Sequence, residues 1–288
     1  MITFNSPPHF LGNQSYYLYI CTRNYQNQGH PMKFITLSTS LSTGQKIFIG
    51  AVIFLIALGL TIQHIKESKT VLLSTYLPEE KEAITHYIEQ QYGKLDTIHH
   101  IFNNSQIQLD IAIIRPTEDI PYFKLVSIGA GTYKMEIPEE LNFSVNDRAE
   151  YVIYLPMDWD TKTDNDFDEW VIKLLEMAVL YPPISNDWFG VGETMLYNED
   201  WSPVSEVIKF NSWILLDSKG KDGRPVEPVR LGNSDKTVAF HQVFPLYPEE
   251  LNYTMEHSTQ ELLDLFGPDM DYAIDINRKN YCGNKTDD

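Results

Sequence analysis

A chain of 288 residues, 43% hydrophobic and 12% aromatic, is long enough to bury one large core or two small ones. Its formal net charge is −18, unevenly placed: no Asp or Glu precedes Glu67, so residues 1–66 carry +4 and the remainder carries −22. Such a body repels nucleic-acid phosphate and suits a basic partner, although acidity also serves solubility alone.

Residues 1–45 are polar, Tyr-rich and aperiodic, with Pro7, Pro8, Gly12, Gly29 and Pro31 as breakers, and predict no stable core. Met32, followed by Lys33 and Phe34, is a candidate alternative start. The run from Ile47 to Ile62 has Thr61 as its one polar side chain and would make a helix of roughly 24 Å, nearly a bilayer core. A buried soluble helix fits poorly because every face is apolar. A cleaved signal peptide fits poorly because "TIQHIKESK" offers no small-x-small site. Residues 46–66 are therefore expected to form an uncleaved single-pass membrane anchor. Lys33 and Lys46 before it, and Lys66 and Lys69 after it, hardly bias the orientation; the expectation leans to a cytoplasmic body. Cys21 and Cys282 lie on opposite sides of this span, and no CxxC offers a zinc or redox site.

The body is expected at 68–275, with 276–288 a flexible tail. "LPEEKEAITHYIEQQYG" predicts a helix with acidic residues in its first turn, Ala83, Ile84, Tyr87 and Ile88 inward, and Gly93 as its stop. "IQLDIAIIRP", "FKLVSIGAG" and "EYVIYLP" read as strands. "DFDEWVIKLLEMAVLY" is the strongest helix, capped by Asp166 or Asp168, with Trp170, Leu174, Met177 and Ala178 at helical spacing. "NSWILLD" and "KTVAFHQVFPL" are later strands. "PEELNYTMEHSTQELLDLFG" gives two short helices, with Ser258 and Glu261 in capping-box spacing and Gly267 as a stop. Strands adjoin strands without regular crossovers, which predicts an α+β fold: a mixed, mainly antiparallel sheet packed with helices, preceded by the transmembrane helix.

"SIGAGTYKM", residues 127–135, has the look of a phosphate-binding loop. A dinucleotide fingerprint needs a third glycine where Lys134 stands, and a P-loop needs Gly-Lys-Ser/Thr. A sharp turn at a strand end, with Gly129 and Gly131 free to take positive φ, is the better reading.

"DWDTKTDNDFDE" places Asp158, Asp160, Asp166 and Glu169 at calcium-loop positions, but Lys162 and Thr163 occupy a ligand position and the turn-glycine position. A solvated acidic loop fits better, and no metal or cofactor is expected. Trp159 and Asp160 together make a plausible patch for a cationic partner. His99 and His100 would face opposite ways on a strand, and His241 reads as a core histidine. No nucleophile elbow or His-Glu-x-x-His helix occurs, so catalysis is not expected. The alternative is a hydrolase using the carboxylate cluster around Asp158–Glu169, which would need an acidic pair about 5–10 Å apart in a cleft.

"VSIGAGTYKM", "NDRAEYVIYLPMDWD", "WVIKLLEMAVLYP" and "GVGETM", in that order, resemble the suppressor-of-fused domain family, as does the closing "FHQVFPLYPEELNYTMEHSTQELLDLF". The likeness runs from about Pro78 to Phe266. It implies a domain without known catalysis that binds other proteins, in animals gripping an extended peptide beside a sheet edge. Bacterial members are commonly viewed as immunity proteins that neutralise toxins. The anchor and the lack of a long C-terminal extension bring the bacterial type closer. The resemblance also implies that Tyr181, at the end of the long helix, and Glu193, twelve positions on, contribute to partner binding. Many bacterial members carry Gly-His-Thr where this chain has Gly192-Glu193-Thr194, which removes any His-dependent role. The expected function is thus a non-enzymatic, membrane-anchored protein-binding module with a basic protein partner, a toxin being the candidate, and with no nucleic acid.

Overall fold

The computed structural model describes residues 75–103, 108–139, 141, 145–160, 167–267 and 270–283. The N-terminal segment, the expected anchor and residues 161–166 of the acidic loop lie outside the described residues. Among those described, no helix is long and apolar enough to cross a membrane.

Helix α1 spans Pro78–Tyr92. Pro78 presets its first turn, and Glu80 reaches back to accept from the Leu77 N–H at 3.1 Å. Gly93, at φ +118°, ends it. Strands β1 (Thr97–Asn103), β2 (Gln108–Ile114), β3 (Tyr122–Ile128) and β4 (Ala149–Pro156) follow as an antiparallel meander. Helix α2 (Glu169–Ser185) leads to β5 (Thr194–Leu196), β6 (Ser212–Asp217), β7 (Val229–Arg230) and β8 (Thr237–Leu246). Helices α3 (Pro248–Glu256) and α4 (Thr259–Phe266) come last; Ser258 caps α4 by accepting from the Glu261 N–H at 3.1 Å.

The sheet runs β1-β2-β3-β4-β8-β6-β5, with β7 pairing off β8. Only β4 and β8 are parallel among these pairs, so the sheet is mixed and mainly antiparallel. Alternate residues serve two faces. Leu109, Ile111, Leu125, Tyr151, Ile153, Trp213 and Val243 pack beneath α2. Ala112, Val126, Val152 and Phe240 pack beneath α1, and Ile214, Phe244 and Leu246 meet Leu262 and Phe266 of α4. Covering both faces explains why the central strands read as unbroken apolar runs.

Three expectations need correction. Trp170 is only half-buried, its ring 6.0 Å from that of Trp159, because it stands in the first turn of α2 at the rim of the sheet. The other expected positions, Leu174, Met177 and Ala178, are buried, joined by Val171, Leu175, Val179 and Tyr181. Gly131 does not adopt positive φ; it is a glycine for space, since a Cβ there would meet the Tyr76 hydroxyl at 2.3 Å. The expected tail from 276 is packed as far as 283. Arg278 donates to both Glu250 carboxylate oxygens, at 2.7 and 2.5 Å, inside a ring of Phe210, Phe244, Tyr247 and Phe266. Burying a charge requires such a partner, and Glu250 is wholly buried.

Candidate functional site

The glycine turn does hold an anion, and the anion is the chain's own. Glu150 is fully buried on β4, and its carboxylate accepts from the N–H groups of Gly129, Ala130 and Gly131 at 2.9, 3.3 and 3.1 Å. The Ser127 hydroxyl donates at 2.5 Å and the Tyr76 hydroxyl at 2.8 Å. Burial pushes the Glu150 pKa up, while these donors pull it back. Gly129, at φ +138°, lets the backbone wrap the carboxylate. The loop therefore turns the chain and is already filled.

A second constellation forms where α2 ends. Pro182 and Pro183 close the helix, and Asn186 takes the left-handed conformation at φ +57°. The turn after it is pinned by the Trp188 indole, which donates to Asn146 O at 3.0 Å, and by Gly190, where any Cβ would strike the Trp188 ring. Gly192, at φ +93°, re-aims the chain into β5, with its N–H on Leu215 O and its carbonyl accepting from the Thr259 hydroxyl. This path brings Tyr181, Asp187 and Glu193 together. The Tyr181 ring is 1% exposed and packs on Phe189 at 4.8 Å, so only its hydroxyl reaches the site, donating to Asp187 at 3.4 Å. Burial, then the Asp187 charge, pushes the half-buried Glu193 carboxyl up to about 7. Burial also raises the Tyr181 hydroxyl.

Among the described residues, neither Asp187 nor Glu193 has a Lys, Arg or His within salt-bridge reach. The negative end of the α2 dipole adds to the potential there. Glu193 adjoins β5, which ends the sheet. Glu193 O accepts from Leu215 N of β6 and Tyr197 N donates to Asn211 O just before β6, and all three residues of β5 between them are buried. Ile184 near the end of α2 and Val191 just before Gly192 are 60% and 38% exposed.

The four residues singled out from sequence do not form one patch. Tyr181 and Glu193 meet at the C-terminal end of α2. Trp159, half-buried, and Asp160, exposed, lie at its N-terminal end beside Trp170. Eleven residues of helix separate Trp170 from Tyr181, roughly 16 Å. Asp187 was not anticipated; nothing in a lone Asp after a helix marks it until the turn folds back. Among the described residues no three His, Cys, Asp or Glu side chains converge as a metal set. A shallow depression beside α2, lined by Tyr133, Met135, Tyr151 and Pro182, encloses no space of ligand size.

The sequence profile of the Suppressor of fused protein (SUFU) family matches residues 105–279, more than half of the chain. The chain belongs to the suppressor of fused family. An uncharacterised protein of Ureaplasma parvum serovar 3 is 25% identical over 209 residues, covering 72% of this chain and 97% of its own length. Among solved structures, the Sufu–Fu complex matches with TM-score 0.50 at 11% identity, over 72% of this chain and 93% of that one. Drosophila Suppressor of Fused matches with TM-score 0.50 at 14% identity, over 72% of this chain and 52% of its own. A SUFU homolog from Neisseria gonorrhoeae shares 17% identity over 70% of this chain and 97% of its own, at TM-score 0.49. The family is a regulatory, protein-binding one and is not known for catalysis; in eukaryotes its domain is a protein-interaction module.

Proposed function

We propose that this is a non-enzymatic protein-binding domain that takes a basic segment of a partner at the C-terminal end of α2, with Glu193 and Asp187 receiving the positive charge. The observation that carries this is the acidic pair left without a cation at the negative end of α2, beside the last strand of the sheet. Ile184 and Val191, both exposed, suit flanking apolar side chains of the partner. The Sufu–Fu complex is a protein of similar fold engaging a protein partner.

The partner class we favour is a basic toxin captured by an immunity protein. The −22 carried beyond residue 66 speeds encounter with a basic surface, and exposed Asp158 and Asp160 contribute to that field from a distance. We further propose that residues 47–62 hold the domain at a membrane, on its cytoplasmic side.

Co-purification with the full-length chain, followed by surface-immobilised kinetics, tests the reading. Glu193→Gln and Asp187→Asn should each speed release about tenfold or more, at low and high salt alike. Asp158→Asn with Asp160→Asn should slow association at low salt alone, because screening removes steering. Unchanged release in both edge variants would overturn the site.

A further inference from the structure

The central seam of the sheet is a fork. Strands β4 and β8 pair from Ala149 and Ala239 to Val152 and Gln242, and no further. Beyond that point β4 stays with β3 as far as Pro156, and β8 stays with β6 as far as Leu246. The gap between them is filled by the chain's own residues 272–276. These alternate as a strand does: Ala273 joins the core beneath α1, while Ile274 and Ile276 join the core beneath α2. Ala273 and Ile274 are 3% and 1% exposed.

The segment fills the fork in volume but not in hydrogen bonds. Among the described residues, its one backbone bond to either strand runs from Ile274 N–H to Tyr154 O, at 2.9 Å. Gln242, at the vertex, is wholly buried. Its Nε2 donates to Tyr272 O at 2.6 Å, but its Oε1 is enclosed without a donor. Buried carboxamide oxygens are ordinarily paired, so this one marks a donor position that the resident segment leaves empty. The contacts that hold the segment lie at its flanks. The Tyr122 hydroxyl donates to Asp271 on one side, and Arg278 grips Glu250 and Pro245 O on the other. A stretch clamped at both flanks and thinly bonded in its middle can leave the fork as a loop while the flanks stay in place.

We infer that the fork between β4 and β8 is a strand-insertion site, and that residues 272–276 are its resident occupant, displaced when a partner's extended segment enters. The partner segment has the chemistry of the resident: neutral side chains in the fork, a small one toward α1 alternating with an aliphatic one toward α2. It also brings a backbone N–H to Gln242 Oε1. Pro156 and Pro245, which have no N–H to offer, end the pairing at the mouth. This site is separate from Asp187 and Glu193 and stands or falls without them.

Two measurements on the full-length chain test it. In the unmodified protein, amides of 272–276 should exchange at least about tenfold faster than those of β8, and with less dependence on urea, because they open locally. The second measurement uses a labelled peptide with the sequence of residues 270–276, MDYAIDI, read by fluorescence anisotropy. In the protein, Ile274→Gly removes the resident's hold on the fork and leaves Arg278 in place. The peptide should bind that variant at least about tenfold more tightly than the unmodified protein, whose fork is already occupied. The same peptide carrying Ile274→Asp should not bind. Exchange of 272–276 in step with β8 would show that the segment opens only with the whole domain and would overturn the proposal. A failure of Ile274→Gly to fold overturns it as well, since the segment would then be an integral strand. A folded Ile274→Gly variant that ignores the peptide, or binds the Asp form equally well, does the same.

Discussion

Arg278 grips Glu250 with both terminal nitrogens while its guanidinium carbon lies 4.8–5.5 Å from the centres of four aromatic rings. Glu250 also accepts from the Tyr247 and Tyr281 N–H groups, so one buried carboxylate ties the start of α3 to the last described segment. Arg278→Ala leaves that carboxylate unpaired and should cost about 3–5 kcal/mol in urea unfolding. Arg278→Lys should recover only part of the loss, because an ammonium cannot fork onto two oxygens and stack at once.

The long helix offers a direct comparison of two positions. Leu174, 1% exposed on the inner face of α2, should cost about 2–5 kcal/mol as Leu174→Ala. Trp170→Ala removes a larger side chain from a half-buried rim and should cost less, about 1–2 kcal/mol. Thermal or urea melts of the two variants, read side by side, check the order; the reverse order would mean that the rim is the core.

Two groups should tilt stability with pH in opposite senses. Glu193 holds its proton more tightly in the folded protein, about 7 against an ordinary 4.5, so stability falls as pH rises through that window. Glu193→Gln should flatten this slope. His241, buried beside Tyr151, is pushed down to about 4 from 6.5, so stability falls as pH drops through that window. His241→Leu should remove this second slope. Urea midpoints of each variant and the unmodified protein between pH 4 and pH 8, taken as differences, separate the two contributions.

The membrane proposal has its own check. Full-length protein should remain with membranes through alkaline carbonate washing, and the double change Ile53→Asp, Leu55→Asp should release it. Each central charge costs roughly 3 kcal/mol on insertion scales. Unmodified protein in the wash supernatant would sink the anchor.

The long apolar strands β2, β3, β4, β6 and β8 were legible because proline, glycine or aspartate closes each run and both sheet faces are covered. Strands β5 and β7, of three and two residues, are too short to show any period and exist through pairing alone. Expecting Trp170 inside followed from correct helical spacing, but spacing cannot tell which turn of a helix overhangs the sheet. At the site, Tyr181 and Glu193 came from family likeness. Asp187 depends on the turn built by Asn186 and Gly192, both at positive φ, which no residue pattern announces.

The parallel pairing of β4 with β8 has a consequence for how the chain reaches its fold. The first four strands can assemble as a local meander, but β4 then shows an open edge and apolar faces until β8, beginning at Thr237, joins it. The central seam thus closes late, across a long loop whose ordering entropy must be met before its contacts form. A nascent chain halted before residue 237 would expose the β4 edge as a template for another copy's strand. The vulnerable interval of this protein's life is its synthesis, and the last fifth of the sequence is what ends it.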